Sequence, residues 1–127
     1  MAKSKINFSE MEKALSRLEE ALALPKTDIT RDSVIQRFEF TIELSWKSLS
    51  RVLREQGVQE ALAPKNVIRE GARLGFISDP ESWIYFIDQR NLSSHTYRED
   101  LAEQVYHTAV RCPGFVKVLL QKLKAAD

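Results

Sequence analysis

The longest helical pattern in the chain spans Thr30 to Gln56 and reads TRDSVIQRFEFTIELSWKSLSRVLREQ. Its apolar side chains recur at spacings of three and four, which is the repeat of one helix face: Val34, Ile35, Phe38, Ile42, Trp46, Leu49, Val52 and Leu53. Phe40 and Leu44 extend this stripe sideways. The pattern therefore predicts a long helix, starting near Thr30 or Asp32, that buries more than one face and lies at the centre of the core.

Local start and stop signals predict further helices on both sides of it. The spacing from Ser9 to Glu12 is that of a capping box, which predicts a first helix that ends before Pro25. Pro64 suits the first turn of a third helix, and Gly75 suits its left-handed end. Asp79 and Pro80 together predict the start of a fourth helix, because an aspartate caps and a proline needs no donor in the first turn.

The C-terminal part of the chain predicts a helix with an interruption. A second capping box from Thr96 to Glu99 predicts its start, with Tyr97 in the first turn and a helix junction at residues 93–95. Pro113 and Gly114 are expected to kink or split it. The chain shows no alternating strand pattern, so we expect an all-α fold of four to five helices in one domain, 1–127.

Composition excludes several classes of protein. Nineteen basic and 18 acidic residues among 127 give a formal net charge of +1, so no global field draws the chain to nucleic acid or to a membrane. The single cysteine, Cys112, excludes a disulfide framework and a multi-cysteine metal site. Without a signal-peptide pattern or a long apolar segment, we expect a cytoplasmic protein. Because no paired metal-ligand motif or glycine-rich phosphate loop is present, we also expect neither a metal nor a cofactor.

The segment richest in different polar functional groups is Arg-Asn-Leu-Ser-Ser-His-Thr-Tyr, residues 90–97. On a continuous helix Arg90 and His95 would point about 140° apart, but a break at the predicted junction lets the histidine fold back. Arginine beside histidine suits metal-free cleavage of a phosphodiester, with the guanidinium neutralising phosphate charge and the imidazole moving a proton. The Asn91 amide can orient the histidine or the phosphate. Tyr97 can contact phosphate, stack on a base or accept a modification.

A structural role competes with each of these interpretations. Histidines and serines at helix junctions often only cap helices, and arginines often only form ion pairs. Lys47 and Arg51 recur on one side of the long helix as candidate phosphate contacts, although a solvated face is the favoured interpretation. His107 has no matching partner nearby in the sequence and is expected to be a surface residue.

The chain resembles the HEPN domains, and within them the nucleotidyltransferase substrate-binding proteins that are related to the HepT toxins. The family pattern is an arginine, a polar residue, three variable residues, a histidine, one residue and a tyrosine, and Arg90, Asn91, His95 and Tyr97 match it without a gap. The resemblance extends to RFEFTIELSWK at 37–47, IREGARLGFI at 68–77, and Trp83. Gly71 and the Cys-Pro-Gly sequence at 112–114 depart from it.

The resemblance implies an up-and-down helical bundle that dimerises with two motifs face to face, and a separately encoded minimal nucleotidyltransferase as partner. In the toxin branch the motif is the active site of a metal-independent ribonuclease, which the partner silences by transferring AMP to the motif tyrosine. The branch that this chain most resembles is instead named for presenting a substrate to the transferase. An endoribonuclease centred on Arg90 and His95, a non-catalytic nucleotide- or substrate-binding subunit, and a helical scaffold without a small-molecule site therefore remain as alternatives.

Overall fold

A computed structural model describes residues 6–59 and 63–126, and the part of the chain it describes is an all-α bundle. Within these described residues there are five α-helices, in chain order α1 (Ser9–Leu22), α2 (Asp28–Glu55), α3 (Pro64–Arg73), α4 (Pro80–Leu92) and α5 (Glu99–Ala126). A single 3₁₀ turn, Ser93–His95, links α4 to α5. The expected fold class is confirmed, whereas residues 1–5, on which the signal-peptide expectation depends, lie outside the described residues.

Helix α2 is the central element because it packs against each of the other four helices. Its fully buried positions include Phe38, Ile42, Leu49 and Leu53, which follow the predicted apolar stripe. Phe40 is half-exposed on the other side. Phe40 therefore does not extend the buried stripe as expected. Thr41, Ser45 and Ser48 are buried instead and widen it, so the prediction that α2 buries more than one face is confirmed.

The caps of the first two helices differ from those predicted, although α1 begins at Ser9 as expected. Helix α1 includes Ser9 as its first residue, and the Ser9 amide donates to Asn7 Oδ1 at 2.8 Å, so the predicted capping box does not form. Helix α2 begins earlier than expected, because the Thr27 side chain accepts from the Thr30 amide at 3.1 Å in a capping box of its own. The starts at Pro64 and at Asp79–Pro80 are confirmed, with Asp79 Oδ1 accepting from the Ser82 amide at 3.1 Å.

The last helix differs from the sequence prediction at its start, and the split that was one of the two outcomes expected at Pro113 does not occur. It begins at Glu99, which leaves Tyr97 outside it, and it continues through Pro113 to Ala126 without a split. Cys112, Val116 and Leu119 are all buried along one face, and this packing outweighs the roughly 3 kcal/mol that an interior proline costs. Helix α5 is consequently as long as α2, and each has 28 residues.

Among the described residues, no helix combines the length and apolarity that crossing a membrane requires.

Candidate functional site

Arg90 lies in the last turn of α4 and faces α2, where two carboxylates one turn apart receive it. Its Nε donates to Glu43 Oε1 at 2.9 Å, and its Nη1 lies 3.9 Å from Glu39 Oε2. The Arg90 side chain keeps 29% of its surface exposed. Because Glu43 binds the guanidinium through Nε, the Arg90 side chain has a fixed direction while part of it stays exposed.

Glu43 connects Arg90 to two further side chains of α2. It accepts a hydrogen bond from Trp46 Nε1 at 3.3 Å and pairs with Lys47 Nζ at 3.4 Å. Partial burial acts to raise the pKa of Glu43, but the Trp46 hydrogen bond and the charge and hydrogen bond of Arg90 outweigh it, so the pKa lies below its usual range. Glu43 is therefore ionised at neutral pH and balances the charge of Arg90.

The 3₁₀ turn after α4 is attached to the same helix. Ser93 Oγ lies within hydrogen-bond distance of Glu39 and of the Arg90 carbonyl oxygen, and Thr96 Oγ1 donates to the Ser93 carbonyl at 2.9 Å. An open groove runs beside this attachment, lined by Asp32, Ser33, Ile35, Gln36, Glu39, Ser93 and Thr96. Because α4 ends at Leu92 and the 3₁₀ turn follows it, the predicted helix break between Arg90 and His95 is confirmed.

His95 and Tyr97 lie on the exposed side of the segment between α4 and α5. Their rings meet edge to face with centroids 6.1 Å apart, and Tyr97 is 80% exposed. The His95 carbonyl accepts a hydrogen bond from the Arg98 amide at 3.2 Å, which closes the turn. We call residues 93–98 the junction; within it both rings are accessible to a ligand.

The remaining predicted residues lie at different distances from this arrangement. Asn91 is exposed, and its carbonyl accepts from Ser94 Oγ at 3.1 Å, but among the described residues its side-chain amide has no hydrogen bond to His95. Lys47 joins the site through Glu43. Arg51, one turn further along α2, is exposed and has no ion pair within the described ranges, so the structure does not connect it to Arg90.

The predicted capping box at Thr96–Glu99 fails for a reason that sequence analysis missed. Glu99 accepts two hydrogen bonds from Arg31 of α2, at 2.7 and 3.2 Å, and so does not reach back to Thr96. Arg31 stands four residues before Ile35, in register with the apolar stripe that continues at Phe38. That register was the available signal that its side chain lies inside the protein.

Chemically, the arrangement combines a fixed guanidinium, an accessible imidazole and an accessible phenol. Within residues 6–59 and 63–126, no group of three or more His, Cys, Asp or Glu side chains is placed to hold a metal ion. The carboxylates Glu39 and Glu43 are instead engaged with Arg90, Ser93 and Lys47. The site is suited to bind an anionic group at Arg90 and to exchange a proton at His95.

The sequence model of the family described as nucleotidyltransferase substrate binding protein like matches residues 6–125. The chain belongs to this family. It is 31% identical over 122 residues to the probable ribonuclease HepT of Haemophilus influenzae, an alignment that covers 84% of each protein. The resemblance stated from residues 90–97 and their flanking segments is therefore confirmed at the level of the family.

Two solved structures share the fold of this nucleotidyltransferase substrate-binding-like chain. A Thermus thermophilus protein is 34% identical with a TM-score of 0.83, covering 89% of this chain and 98% of its own. A Haemophilus influenzae protein, described as having the fold of a substrate binding domain of a nucleotidyltransferase, is 29% identical with a TM-score of 0.84. That match covers 93% of this chain and 99% of the other.

Proposed function

We propose that this chain is the HEPN-type partner of a minimal nucleotidyltransferase, in a pair of the toxin–antitoxin kind, and that Arg90 and His95 form a metal-independent endoribonuclease site. The observation that carries the proposal is the placement of Arg90, which Glu43 holds through Nε at 2.9 Å and whose side chain is 29% exposed, at the end of a helix followed by a turn that exposes His95. The family's description and the similarity to a probable ribonuclease HepT support it.

The proposed cleavage uses the RNA's own nucleophile. His95 accepts the proton of a ribose 2′-hydroxyl, whose oxygen attacks the adjacent phosphorus while the bond to the 5′ oxygen breaks. The leaving oxygen takes up a proton, and the products are a 2′,3′-cyclic phosphate and a 5′-hydroxyl. Arg90 neutralises charge on the phosphate oxygens, and Asn91 contributes its amide to the orientation of the phosphate or of His95.

We propose that the active form is a two-fold homodimer, because one chain offers a single arginine and a single histidine to each site. A second copy brings another Arg90–His95 pair to a shared cleft. The dimer places two protonatable imidazoles beside one phosphodiester, so that one accepts the hydroxyl proton and the other donates to the leaving oxygen.

Tyr97 is the proposed acceptor of AMP from the transferase. Its phenol oxygen attacks the α-phosphorus of ATP, pyrophosphate leaves, and the phenol proton is lost to solvent. The 80% exposure of Tyr97 makes this attack sterically feasible. The added phosphate competes with RNA for Arg90 and so inhibits cleavage.

A cleavage assay tests the ribonuclease proposal directly. Total cellular RNA is incubated with the protein in EDTA, and new ends are identified as cyclic phosphates. We expect Arg90→Ala and His95→Ala each to abolish cleavage with unchanged circular dichroism, whereas Arg111→Ala and His107→Ala, on exposed positions of α5, retain it. Cleavage that requires a divalent metal, or that survives both motif substitutions, refutes the mechanism.

The second candidate function is a non-catalytic nucleotide- or substrate-binding subunit that uses the same residues. The description of the matching family, and that of the Haemophilus influenzae structure as a substrate binding domain of a nucleotidyltransferase, favour it. Calorimetry with ATP, with and without a minimal nucleotidyltransferase, distinguishes the two. Nucleotide binding that Arg90→Ala removes, in a protein that cleaves no RNA, supports the binding subunit.

A further inference from the structure

Arg31, near the start of α2, is the most deeply buried charged side chain among the described residues, with 5% of its surface exposed. Its Nη1 donates to Glu99 at 2.7 Å and to Glu103 at 3.1 Å, its Nη2 donates to Glu99 at 3.2 Å, and its Nε donates to Asp32 at 3.2 Å. All three guanidinium nitrogens are thus engaged. Two of the three carboxylates belong to the first turns of α5.

These bonds fix the point where the junction ends. Glu99 is the first residue of α5 and stands two positions after Tyr97. The other end of the junction, Ser93, is attached to Glu39 of the same helix α2. The segment that carries His95 and Tyr97 is therefore held at both ends by one rigid element, at positions eight residues apart.

A third element reinforces the attachment at Arg31. Lys26, in the connection before α2, pairs with Glu103 and lies over the Tyr106 ring at 4.7 Å from its centroid. Hydrogen bonds from Arg31 to Glu99, and from Lys26 and Arg31 to Glu103, keep the pKa of both glutamates below the usual range. Both carboxylates are ionised at neutral pH, when the attachment is complete.

Compared with apolar residues of similar volume, a buried ion pair adds little net stability, because the cost of removing its charges from water offsets most of their attraction. The guanidinium fixes the orientation of the carboxylate, because its planar fork donates two hydrogen bonds to a carboxylate in one orientation only. A Glu99 whose side chain is 76% exposed would otherwise rotate freely in water. Arg31 therefore sets the geometry at the start of α5.

We propose that Arg31 is a positioning residue for the site: through Glu99 it sets the place of the junction, and hence of His95 and Tyr97, relative to Arg90. What the junction then does rests on the function proposed above. The anchoring itself is a property of the folded chain and is measured without substrate.

The first experiment measures the anchoring by amide hydrogen exchange. The probes are the amides of Arg98 and Ala102, which donate to the carbonyls of His95 and Arg98 at 3.2 and 3.0 Å. In Arg31→Met, and equally in Glu99→Gln, we expect exchange at these amides to rise about tenfold or more while amides of α3 keep their rates. Glu99→Gln changes an exposed side chain, so it tests the anchoring of the junction even if Arg31→Met fails to fold.

The matched control for this exchange experiment is Arg37→Met. Arg37 also lies on α2 and also anchors another element, donating to the Arg17 carbonyl at 2.7 Å, but it does not contact the junction. Its replacement should leave exchange at Arg98 and Ala102 unchanged. Unchanged exchange at both amides in Arg31→Met and Glu99→Gln overturns the proposal, and so does the same rise in Arg37→Met.

The second experiment measures adenylylation of Tyr97 by a minimal nucleotidyltransferase and ATP. Because ATP binds to the transferase, Arg31→Met should lower the rate at saturating ATP roughly ten- to a hundredfold and leave the KM for ATP unchanged. Arg31→Lys, which keeps the charge but not the fork, should restore part of the rate. Adding Glu99→Gln to Arg31→Met should cause little further loss, since both act through one contact.

Different results refute the acceptor function of Tyr97 and the positioning role of Arg31. If the wild-type protein accepts no AMP, the acceptor function of Tyr97 is refuted, and hydrogen exchange alone decides whether Arg31 anchors the junction. If Tyr97 is adenylylated and Arg31→Met is modified at the wild-type rate, the positioning role is refuted while the proposed function stands.

Discussion

Gly71 lies on the buried face of α3, where an added methyl group would meet the core. A Cβ at this position would lie 2.8 Å from Leu49 Cδ2 and 3.2 Å from Ile77 Cγ1. Leu49 is fully buried in α2 and has no solvent to move into. Gly71 therefore allows α3 to approach α2 closely, and Gly71→Ala forces either the Leu49 side chain or the helices to shift.

Two opposing effects determine the magnitude. Replacing glycine by alanine within a helix stabilises it by about 0.8–1 kcal/mol. Inserting a methyl group into a packed core costs about 1–3 kcal/mol. The closest of the contacts at Gly71 is under 3 Å, so we expect the steric cost to exceed the gain and the free energy of unfolding to fall by about 1 kcal/mol.

Gly114 is the matched control, because it also lies inside a helix but has no atom within 4 Å of an added Cβ. Gly114→Ala should raise the free energy of unfolding by about 0.8 kcal/mol. Urea unfolding followed by far-ultraviolet circular dichroism measures both variants. Leu49→Val should cost less when combined with Gly71→Ala than in the wild-type protein, because it removes the group that the new methyl meets. Equal stabilisation by both alanines would refute the close-packing argument.

Three further predictions concern other parts of the molecule. Hydrogen bonds to Glu99 from Arg31, and to Glu103 from Lys26 and Arg31, lower the pKa of both glutamates in the folded protein. The two ionised carboxylates therefore stabilise the fold fully above the usual carboxyl pKa, and this contribution is lost as the pH falls through the lowered pKa values. The urea midpoint should therefore fall between about pH 5 and pH 3, and less steeply in Arg31→Met. Burial raises the pKa of Cys112 to about 12, so Ellman's reagent should label it at about pH 8 only after denaturation. Light scattering should give the mass of a homodimer at micromolar concentration, and a monomer would contradict the shared cleft.

The helices that sequence analysis placed correctly are those with local signals. Pro64 and the Asp79–Pro80 pair act within one turn, so no distant contact is needed to interpret them. The apolar stripe of α2 is equally clear because its repeat persists over many turns. The motif at residues 90–97 is also local in sequence, and the predicted break within it is present although the capping box that predicted it does not form.

The errors have two sources. At the first two helices the cause is local, since Asn7 accepts a hydrogen bond from the Ser9 amide and Thr27, not Thr30 or Asp32, caps α2. In the second half of the chain a distant residue competes with a local signal. Thr96 and Glu99 have the spacing of a capping box, but Arg31, 68 positions earlier, takes the glutamate. Pro113 carries the strongest helix-breaking signal in the chain, and the buried face on both sides of it continues the helix regardless. The attachment of Arg90 to Glu39 and Glu43 has the same long-range origin, since helix-face periodicity does not specify which helix a polar residue faces.

The charges around Arg90 bear on what kind of ligand the site can hold. Glu39 and Glu43 carry two negative charges, and Arg90 and Lys47 carry two positive ones, so the group is neutral at a distance. A neutral site gives no long-range attraction for a polyanion and no multiple phosphate contacts of the kind that produce a steep salt dependence. Its affinity must come from contacts made at close range, through the terminal nitrogens of Arg90 and the exposed rings at the junction. Such contacts suit one nucleotide, or one unpaired position of an RNA, better than a duplex held along its backbone.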